Sequence, residues 1–289
     1  MLGTDLCQEL AEDYEAYGAD LVKREASSVK QLVKCDITNE DETLSILSKI
    51  KPDLVIHTAA WTDVDGCELG KDKAYKINSF GAENVALGCK QTGAALIYIS
   101  TDFVFDGASD KPYTEKDIPR PINAYGRTKL AGERLLVENH CHNCIMRVEW
   151  TYGMKGDNFI KKILQKARTL ASAKPGETGQ KDMKIVDDQI GSPTATTEAA
   201  KAVCDLIHKK PTGIYHFASQ GYVSRFDVAQ FIAEKLALDV RLTPCKTSDY
   251  PSAAARPLSS KFNCSKIRPL LSGPIKPWRV PLEEFLKQL

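Results

Sequence analysis

The sequence of 289 residues has no excess of charge of either sign and no long apolar segment. Its 39 basic and 38 acidic residues are interspersed, which excludes the basic stripe of a protein that binds nucleic acid or a membrane surface. No apolar run approaches the roughly 20 residues that a membrane-spanning helix needs. We therefore expect neither a nucleic-acid partner nor a membrane.

Signals for secretion and for metal binding are also missing. Asp5, Glu9 and Glu12 come too early for a signal peptide, and the nine cysteines are an odd, scattered set. We expect reduced thiols and a cytoplasmic location. Cys141 and Cys144 have the spacing of metal ligands but no second pair to complete a zinc site, so we expect no metal.

What the chain does contain is a regular alternation of buried strands and amphipathic helices. Apolar runs predict strands at 14–20, 31–36, 53–57, 94–99, 144–148, 183–186, 213–217 and 240–244. Helices are predicted at 1–11, 40–50, 72–91, 157–170, 196–208 and 224–236, with another around Tyr125 and a loop at 174–181. This pattern predicts an α/β fold, a Rossmann-like doubly wound parallel sheet with a smaller C-terminal lobe.

The stretch from Ser100 to Glu133 is the most informative. Thr101 follows a predicted strand, at the carboxyl end where open α/β sheets bind ligands. Tyr125 and Lys129 are four residues apart on a predicted helix, so they share a face. An ammonium group lowers the pKa of a nearby phenol, which suits a general acid acting on a carbonyl oxygen. We predict that Thr101, Tyr125 and Lys129 are catalytic.

The Tyr/Lys pair taken alone would be weak evidence. A solvated pair on a helix surface is the alternative, although only Tyr125 among the ten tyrosines has a lysine four residues later. The Ser-Thr-Asp sequence at the preceding strand end, and the parallel-sheet pattern around both, favour the catalytic interpretation.

A strand is expected before the first helix, because in a doubly wound sheet that strand is central. Leu2, Leu6 and Leu10 form an apolar stripe, and Gly3 resembles the last glycine of a phosphate-binding turn. We expect that this sequence lacks a real N-terminal strand and most of a Gly-rich turn, and that it therefore binds a dinucleotide weakly.

These residues also carry a resemblance. The chain resembles the dTDP-4-dehydrorhamnose reductases of the extended short-chain dehydrogenase/reductase superfamily. The shared motifs are short, but their order and spacing are specific: Met1-Leu2-Gly3, Ala59-Ala60-Trp61-Thr62, Ser100-Thr101-Asp102, Val104-Phe105-Asp106-Gly107, Tyr125-Gly126, Thr128-Lys129, Asp188-Gln189, Pro193-Thr194 and Arg256-Pro257.

The resemblance implies NAD(P)H-dependent reduction of the C4 keto group of dTDP-4-dehydro-L-rhamnose to dTDP-L-rhamnose. It implies that Tyr125 protonates the C4 oxygen, that Lys129 holds the nicotinamide ribose, and that Thr101 and Asp102 contact the sugar. Trp150 would stack at the nucleotide end, with a plain core residue as the alternative. The residues implied for NADPH or NADH are Met1, Leu2, Gly3, Asp20, Asp36, Ile37, Ala60, Trp61, Thr62, Tyr125 and Lys129.

The resemblance further implies an NAD(P)-binding Rossmann domain at 1–153 without its first strand. Residues 154–289 would be mainly a substrate-binding lobe, with some segments returning to the sheet. It leaves open a homodimer and the choice of cofactor. Asp20 would accept from a ribose 2′-hydroxyl, whereas Lys23 and Arg24 would hold a 2′-phosphate.

Phe103 and Glu149 depart from the family pattern, which often has tyrosine at the first position and a small residue at the second. The acidic loop of Asp63, Asp65 and Glu68 is expected to be solvated and not a calcium site. Two other functions stay open: another nucleotide-sugar reductase or epimerase, or a non-catalytic regulatory subunit resembling the β-subunit of methionine adenosyltransferase. The intact catalytic set argues against the second.

Overall fold

The computed structural model describes residues 1–22, 28–139, 142–172 and 182–289. Its strands are β1 (Tyr17–Asp20), β2 (Gln31–Lys34), β3 (Leu54–His57), β4 (Ala95–Thr101), β5 (Asn143–Val148), β6 (Thr151–Tyr152), β7 (Asp182–Val186), β8 (Ile190–Gly191), β9 (Thr194–Ala195), β10 (Gly213–Phe217), β11 (Val223–Ser224) and β12 (Arg241–Cys245). Its α-helices are α1 (Leu2–Leu10), α2 (Glu40–Ile50), α3 (Val64–Leu69), α4 (Lys71–Tyr75), α5 (Gly81–Thr92), α6 (Ala124–Glu138), α7 (Phe159–Ser172), α8 (Thr196–Lys209), α9 (Arg225–Lys235) and α10 (Arg279–Leu286).

The main sheet is parallel, with strands in the order β10-β5-β4-β3. β1 and β2 form a separate parallel pair. No described residue forms a strand between β1 and β3, so each of these two strands has one edge without a ladder partner in the described part of the chain. The strand expected ahead of the first helix stays a prediction.

Helices cover both faces of the main sheet, which confirms the doubly wound α/β fold. Successive residues of β4 point to opposite faces. On one face α1 and α8 pack over Ile97 and Met146, and on the other α5 and α6 pack over Leu96 and Tyr98. The apolar stripe of α1 is thus buried against α8 and the sheet, where it places the start of α1 beside the end of β3.

The helix predicted at 72–91 is wrong as a continuous α-helix. A π-helical turn, Lys76–Phe80, separates α4 from α5. Its Asn78 side chain accepts from the Trp61 backbone N–H at 2.7 Å, and its amide nitrogen donates to the Trp61 carbonyl and to the Thr128 hydroxyl, both at 3.1 Å. These contacts to distant segments accompany the extra residue of the π-turn, a feature that is frequent at functional sites.

A second core lies in the C-terminal half of the chain. α7, α9 and α10 pack with the parallel pair β7–β12 around Trp278, Ile232 and Phe285. α8 and β10, however, belong to the main sheet and its covering helices. The division at residue 153 stays a prediction. The loop predicted at 174–181 lies outside the described residues.

Candidate active site

One cavity of about 1950 Å³ runs past the carboxyl ends of β1, β3 and β4 and beneath α1. It exceeds the roughly 300–1,000 Å³ of an ordinary small-molecule site, so it has room for two ligands. Every residue predicted to bind cofactor or substrate lines it: Met1, Leu2, Gly3, Asp20, Asp36, Ile37, Ala60, Trp61, Thr62, Thr101, Asp102, Tyr125, Lys129 and Trp150.

Thr101 ends β4 with its side chain buried at the cavity wall. Its hydroxyl accepts from the Phe103 backbone N–H at 3.2 Å and donates to Asp102 Oδ1 at 3.1 Å. The other oxygen of Asp102 accepts from the Ser260 hydroxyl. Burial raises the pKa of Asp102 to about 6, although these hydroxyl donors oppose it.

Tyr125 lies in the first turn of α6, and two neighbours fix that turn. Asn123 caps the helix, because its Oδ1 accepts from the Gly126 N–H at 2.8 Å. A Cβ atom on Gly126 would lie 2.0 Å from the Phe103 carbonyl oxygen, so only glycine permits this approach. The Tyr125 ring consequently meets Phe103 edge-on, with centroids 5.6 Å apart, and reaches the end of β4.

Lys129 lies one turn later on α6 and is 2% exposed. Its Nζ donates to the Ile99 carbonyl at 2.8 Å and lies 3.9 Å from the centroid of the Tyr98 ring. The lysine is therefore held against β4, on the same wall of the cavity as Tyr125 and Thr101.

The pKa of Tyr125 differs from expectation, and the pKa of Lys129 is also shifted. Burial, and then Asp102, raise the pKa of Tyr125, while the Thr101 hydroxyl lowers it through a side-chain hydrogen bond. Burial lowers the pKa of Lys129 to about 7 against the effect of Glu133. The predicted lowering of the Tyr125 pKa is therefore wrong, because desolvation of the phenol dominates. Tyr125 stays protonated at neutral pH, as a proton donor must.

A buried ion pair joins α6 to the sheet beneath the predicted catalytic residues. Arg147 of β5 donates to both oxygens of Glu133, from Nη2 at 2.6 Å and from Nε at 2.9 Å. The Ser100 hydroxyl of β4 donates to the same carboxylate. α6, β4 and β5 are thereby held in one register, which fixes Tyr125 and Lys129 relative to Thr101.

The segment Ala60–Thr62 follows β3 and forms another wall of the cavity. The Asn78 side chain holds both backbone groups of Trp61, and the Lys73 ammonium lies 4.6 Å from the Trp61 ring. Gly3 approaches the same strand end, since a Cβ atom there would lie 3.0 Å from Thr58 Oγ1. This close approach of a helix start to a strand end fits a bound dinucleotide.

The two carboxylates predicted near the adenosine end lie at the cavity with different partners. Asp20 is exposed, and its Oδ1 accepts from the Val22 N–H at 3.1 Å. Asp36 accepts from the Thr38 N–H at 2.9 Å and from its hydroxyl at 2.8 Å, and the backbone donor most of all lowers its pKa. Lys23 and Arg24 lie outside the described residues.

Trp150 has a left-handed backbone with φ of 43°, a strained conformation for a bulky residue. A Cβ atom on Gly191 would lie 2.6 Å from its ring, so glycine makes room for the indole. The Arg225 guanidinium lies 4.0 Å from the Trp150 ring centroid and 4.4 Å from that of Phe159. Sequence reasoning missed Arg225 and Phe159, because no local motif marks them and their contacts with Trp150 are long-range.

Glu149 is fully buried. The sequence shows that this residue departs from the family pattern, but it does not indicate the burial. Its Oε1 accepts from the Ser192 N–H, and Oε2 makes no hydrogen bond within the described residues. Burial and then Asp102 raise the pKa of Glu149 well above its usual value. The residue is therefore a buried acid that favours its neutral form near Asp102, a chemistry that a small side chain would not supply.

The acidic loop after β3 is more structured than the predicted solvated loop. Asp63 caps α3, Asp65 accepts two hydrogen bonds from Arg256 at 2.6 Å, and Glu68 accepts from the Ala124 N–H at 2.7 Å. Pairing with Arg256 lowers the pKa of Asp65 to about 2. No group of residues suited to a metal ion occurs in the described ranges, and Cys141 of the Cys141–Cys144 pair lies outside them.

The fold and this site define the class as an extended short-chain dehydrogenase/reductase. A putative epimerase from Burkholderia cenocepacia, 17% identical, shares the fold with a TM-score of 0.80 over all of this chain and 94% of its own. The chain belongs to the family described as "RmlD substrate binding domain", whose model matches residues 1–289.

Relatives with stated activities cover most of the chain. A dTDP-4-dehydrorhamnose reductase of Aggregatibacter actinomycetemcomitans is 34% identical over 86% of each chain. A solved dTDP-4-dehydrorhamnose reductase from Clostridium acetobutylicum is 32% identical, with a TM-score of 0.85 over 99% of this chain and 95% of its own. One from Bacillus anthracis, solved in complex with NADP, is 33% identical, with a TM-score of 0.84 over 99% and 97% of the two chains.

Proposed function

We propose that the chain catalyses NAD(P)H-dependent reduction of the C4 keto group of dTDP-4-dehydro-L-rhamnose, giving dTDP-L-rhamnose. The observation that carries the proposal is the convergence of Thr101, Tyr125 and Lys129 on one cavity with room for two ligands. Relatives known as dTDP-4-dehydrorhamnose reductases support the same reaction, and one of them was solved in complex with NADP.

The nicotinamide cofactor supplies a hydride to C4 when it is bound. Tyr125 gives its phenolic proton to the C4 oxygen, where charge develops as the hydride arrives. The Thr101 hydroxyl lies beside Tyr125 and donates to Asp102. It binds the C4 oxygen only when it turns its one proton from Asp102 to that oxygen. Lys129 lies one turn later on α6 and, in its charged form, stabilises the phenolate that develops as Tyr125 gives up its proton.

The residues that border the middle of the cavity and one of its ends suit a dinucleotide. Ala60, Trp61 and Thr62 border its middle, while Asp20, Asp36 and Ile37 border the end near β1 and β2. Both NADPH and NADH remain candidate cofactors. The side chains that would discriminate between them include Lys23 and Arg24, which lie outside the described residues. The homodimer and the cytoplasmic location stay predictions, and no described helix is long and apolar enough to cross a membrane.

The test is cofactor oxidation, followed by loss of absorbance, with NADPH and with NADH. Purified chain is mixed with dTDP-4-dehydro-L-rhamnose, and the sugar product is identified by mass spectrometry and NMR. Turnover to dTDP-L-rhamnose supports the proposal. Absence of turnover with every nucleotide keto sugar would instead favour a regulatory subunit.

A second candidate acts on a different epimer of the keto sugar. A dTDP-4-keto-6-deoxy-D-glucose reductase of Streptomyces niveus is 31% identical over 86% of this chain and 84% of its own. Phe103 gives the cavity wall an apolar ring, and the buried Glu149 lies behind that wall near Asp102, which favours keeping this substrate in the comparison. A higher kcat/KM for dTDP-4-keto-6-deoxy-D-glucose would replace the proposed substrate by this one.

A further inference from the structure

Arg225 is the first residue of α9 and lines the cavity beside Asp102 and Trp150. Its Nε donates to Gln189 Oε1 at 2.9 Å. Its two terminal nitrogens make no hydrogen bond with any residue that the structure describes. The guanidinium therefore keeps most of its donors free on the cavity side.

The side chain is held in one orientation by three neighbours. Trp150 and Phe159 lie on the guanidinium at 4.0 Å and 4.4 Å, and Gln189 fixes its Nε edge. Gln189 is itself anchored, because its amide nitrogen donates to the Thr247 hydroxyl at 3.2 Å. A planar cation fixed in this way loses little side-chain entropy when it binds a ligand.

The electrostatic surroundings keep Arg225 charged without using its donors. Burial lowers the pKa of Arg225 to about 10, and the charge of Asp102 opposes that effect. Arg256 also faces the group, but its guanidinium is committed to Asp65 through two hydrogen bonds. Of these two arginines, Arg225 is the one with donors available to a ligand.

We infer that Arg225 binds the diphosphate of the nucleotide sugar and so determines specificity for a diphosphate over a monophosphate. The inference rests on the proposed function, in which the sugar lies against Thr101 and Asp102. The diphosphate is the charged group attached directly to that sugar. The free edge of a guanidinium matches two phosphate oxygens, and the partly buried setting strengthens the contact.

The arrangement also changes the role of Trp150. One side of its ring carries the Arg225 guanidinium, and Gly191 lies close to the ring as well. Trp150 then supports the diphosphate-binding arginine, in place of the predicted stacking on the nucleotide.

The experiment is isothermal titration of the full chain with dTDP, dTMP and thymidine. Arg225→Met keeps an apolar chain between Trp150 and Phe159 but removes the donors. We expect it to weaken dTDP binding about 10- to 100-fold and to leave thymidine and NADPH binding unchanged. Arg225→Lys, with a point charge and no planar fork, should fall between the two.

Arg279→Met is the matched control, because Arg279 lies over Trp278 at 4.6 Å and over Phe231 at 5.8 Å, outside the cavity. It should bind dTDP as the unchanged protein does. Unaltered dTDP affinity in Arg225→Met, or in Arg225→Lys if the first variant does not fold, would overturn this inference alone. No dTDP binding by the unchanged protein would overturn the proposed function and this inference with it.

Discussion

At the scale of single residues, burial determines the protonation state of Tyr125, the proposed proton donor. Tyr125 is buried against Phe103 and stays protonated because burial raises its pKa. Replacing Tyr125 by Phe removes the donor and keeps the ring in its packing. We expect kcat to fall by about 10²–10⁴, the usual contribution of one general acid. NADPH affinity, measured by fluorescence titration, should be unchanged, and turnover close to wild type would contradict the assigned role.

Glu149 makes stability depend on pH. The pKa of Glu149 is raised in the folded chain, so the folded state retains a proton that the unfolded state releases above pH about 4.5. Stability present at low pH is therefore lost as pH rises towards the folded pKa. Glu149→Gln removes this loss. Compared with the unchanged protein, Glu149→Gln should have nearly the same free energy of unfolding at pH 4.5. Its advantage should then grow by up to about 1.4 kcal/mol for each unit by which the pH rises.

Urea unfolding at pH 5 and pH 8 measures this difference. Glu138→Gln is the matched control, because Glu138 is exposed near the end of α6 and undergoes the same chemical change. If Glu149→Gln gained no more stability at pH 8 than at pH 5, the carboxyl group would not be held neutral by its burial.

At the scale of elements, the contact between α6 and the end of β4 has no spare space. A Cβ atom at position 126 would lie 2.0 Å from the Phe103 carbonyl oxygen. Gly126→Ala should therefore move the start of α6 away from Thr101. We expect a destabilisation of about 1–3 kcal/mol, as for other overpacked sites, together with a loss of kcat.

Gly273→Ala is the control for that substitution, because nothing lies within 4 Å of the added carbon. Thermal melting and steady-state kinetics on both variants distinguish a local clash from a general effect of alanine. Wild-type melting and turnover of Gly126→Ala would show that α6 tolerates a shift at its first turn.

The elements differ in how far sequence alone predicts them. α2 occurs at the predicted bounds because its signals are local: Asn39 accepts from the Glu42 N–H, and Pro52 follows the last turn. The π-turn around Asn78 could not be predicted in this way, since its partners Trp61 and Thr128 are distant in sequence.

The same distinction applies to the site. Thr101, Tyr125 and Lys129 are close in sequence and follow recognisable strand-end and helix patterns. Arg225 becomes a site residue only when α9, β5 and α7 come together, and the pKa of Tyr125 depends on burial that no motif encodes. Residue types and spacing are therefore enough to predict a catalytic set, which stays a prediction, but not the electrostatics of these residues or the arginine beside them.

At the scale of the whole molecule, the parallel strands fall into separate groups. β1 and β2 pair only with each other in the described chain and contain no fully buried residue, whereas most residues of β4 and β5 are buried. A two-stranded unit is marginally stable alone. We expect hydrogen exchange to show weaker protection of β1 and β2 than of β4 and β5. Because β1 lines the cavity, saturating NADPH should raise its protection.

The pair β7–β12 is the internal control, because it is also two-stranded and parallel but packs in the second core with α7 and α9. NADPH should leave its exchange unchanged. Equal protection of β1 and β4 without ligand would mean that β1 and β2 are stabilised by contacts other than a continuous ladder.

The positions of the three tryptophans have an optical consequence. Trp61 and Trp150 line the cavity, each beneath a cation, whereas Trp278 is 3% exposed in the second core. A ligand that enters the cavity changes the surroundings of two indoles and leaves the third as an internal reference. Intrinsic emission thus reports occupancy of the cavity without any attached dye, and single Trp-to-Phe replacements divide the signal between the part of the cavity at Trp61 and the part at Trp150.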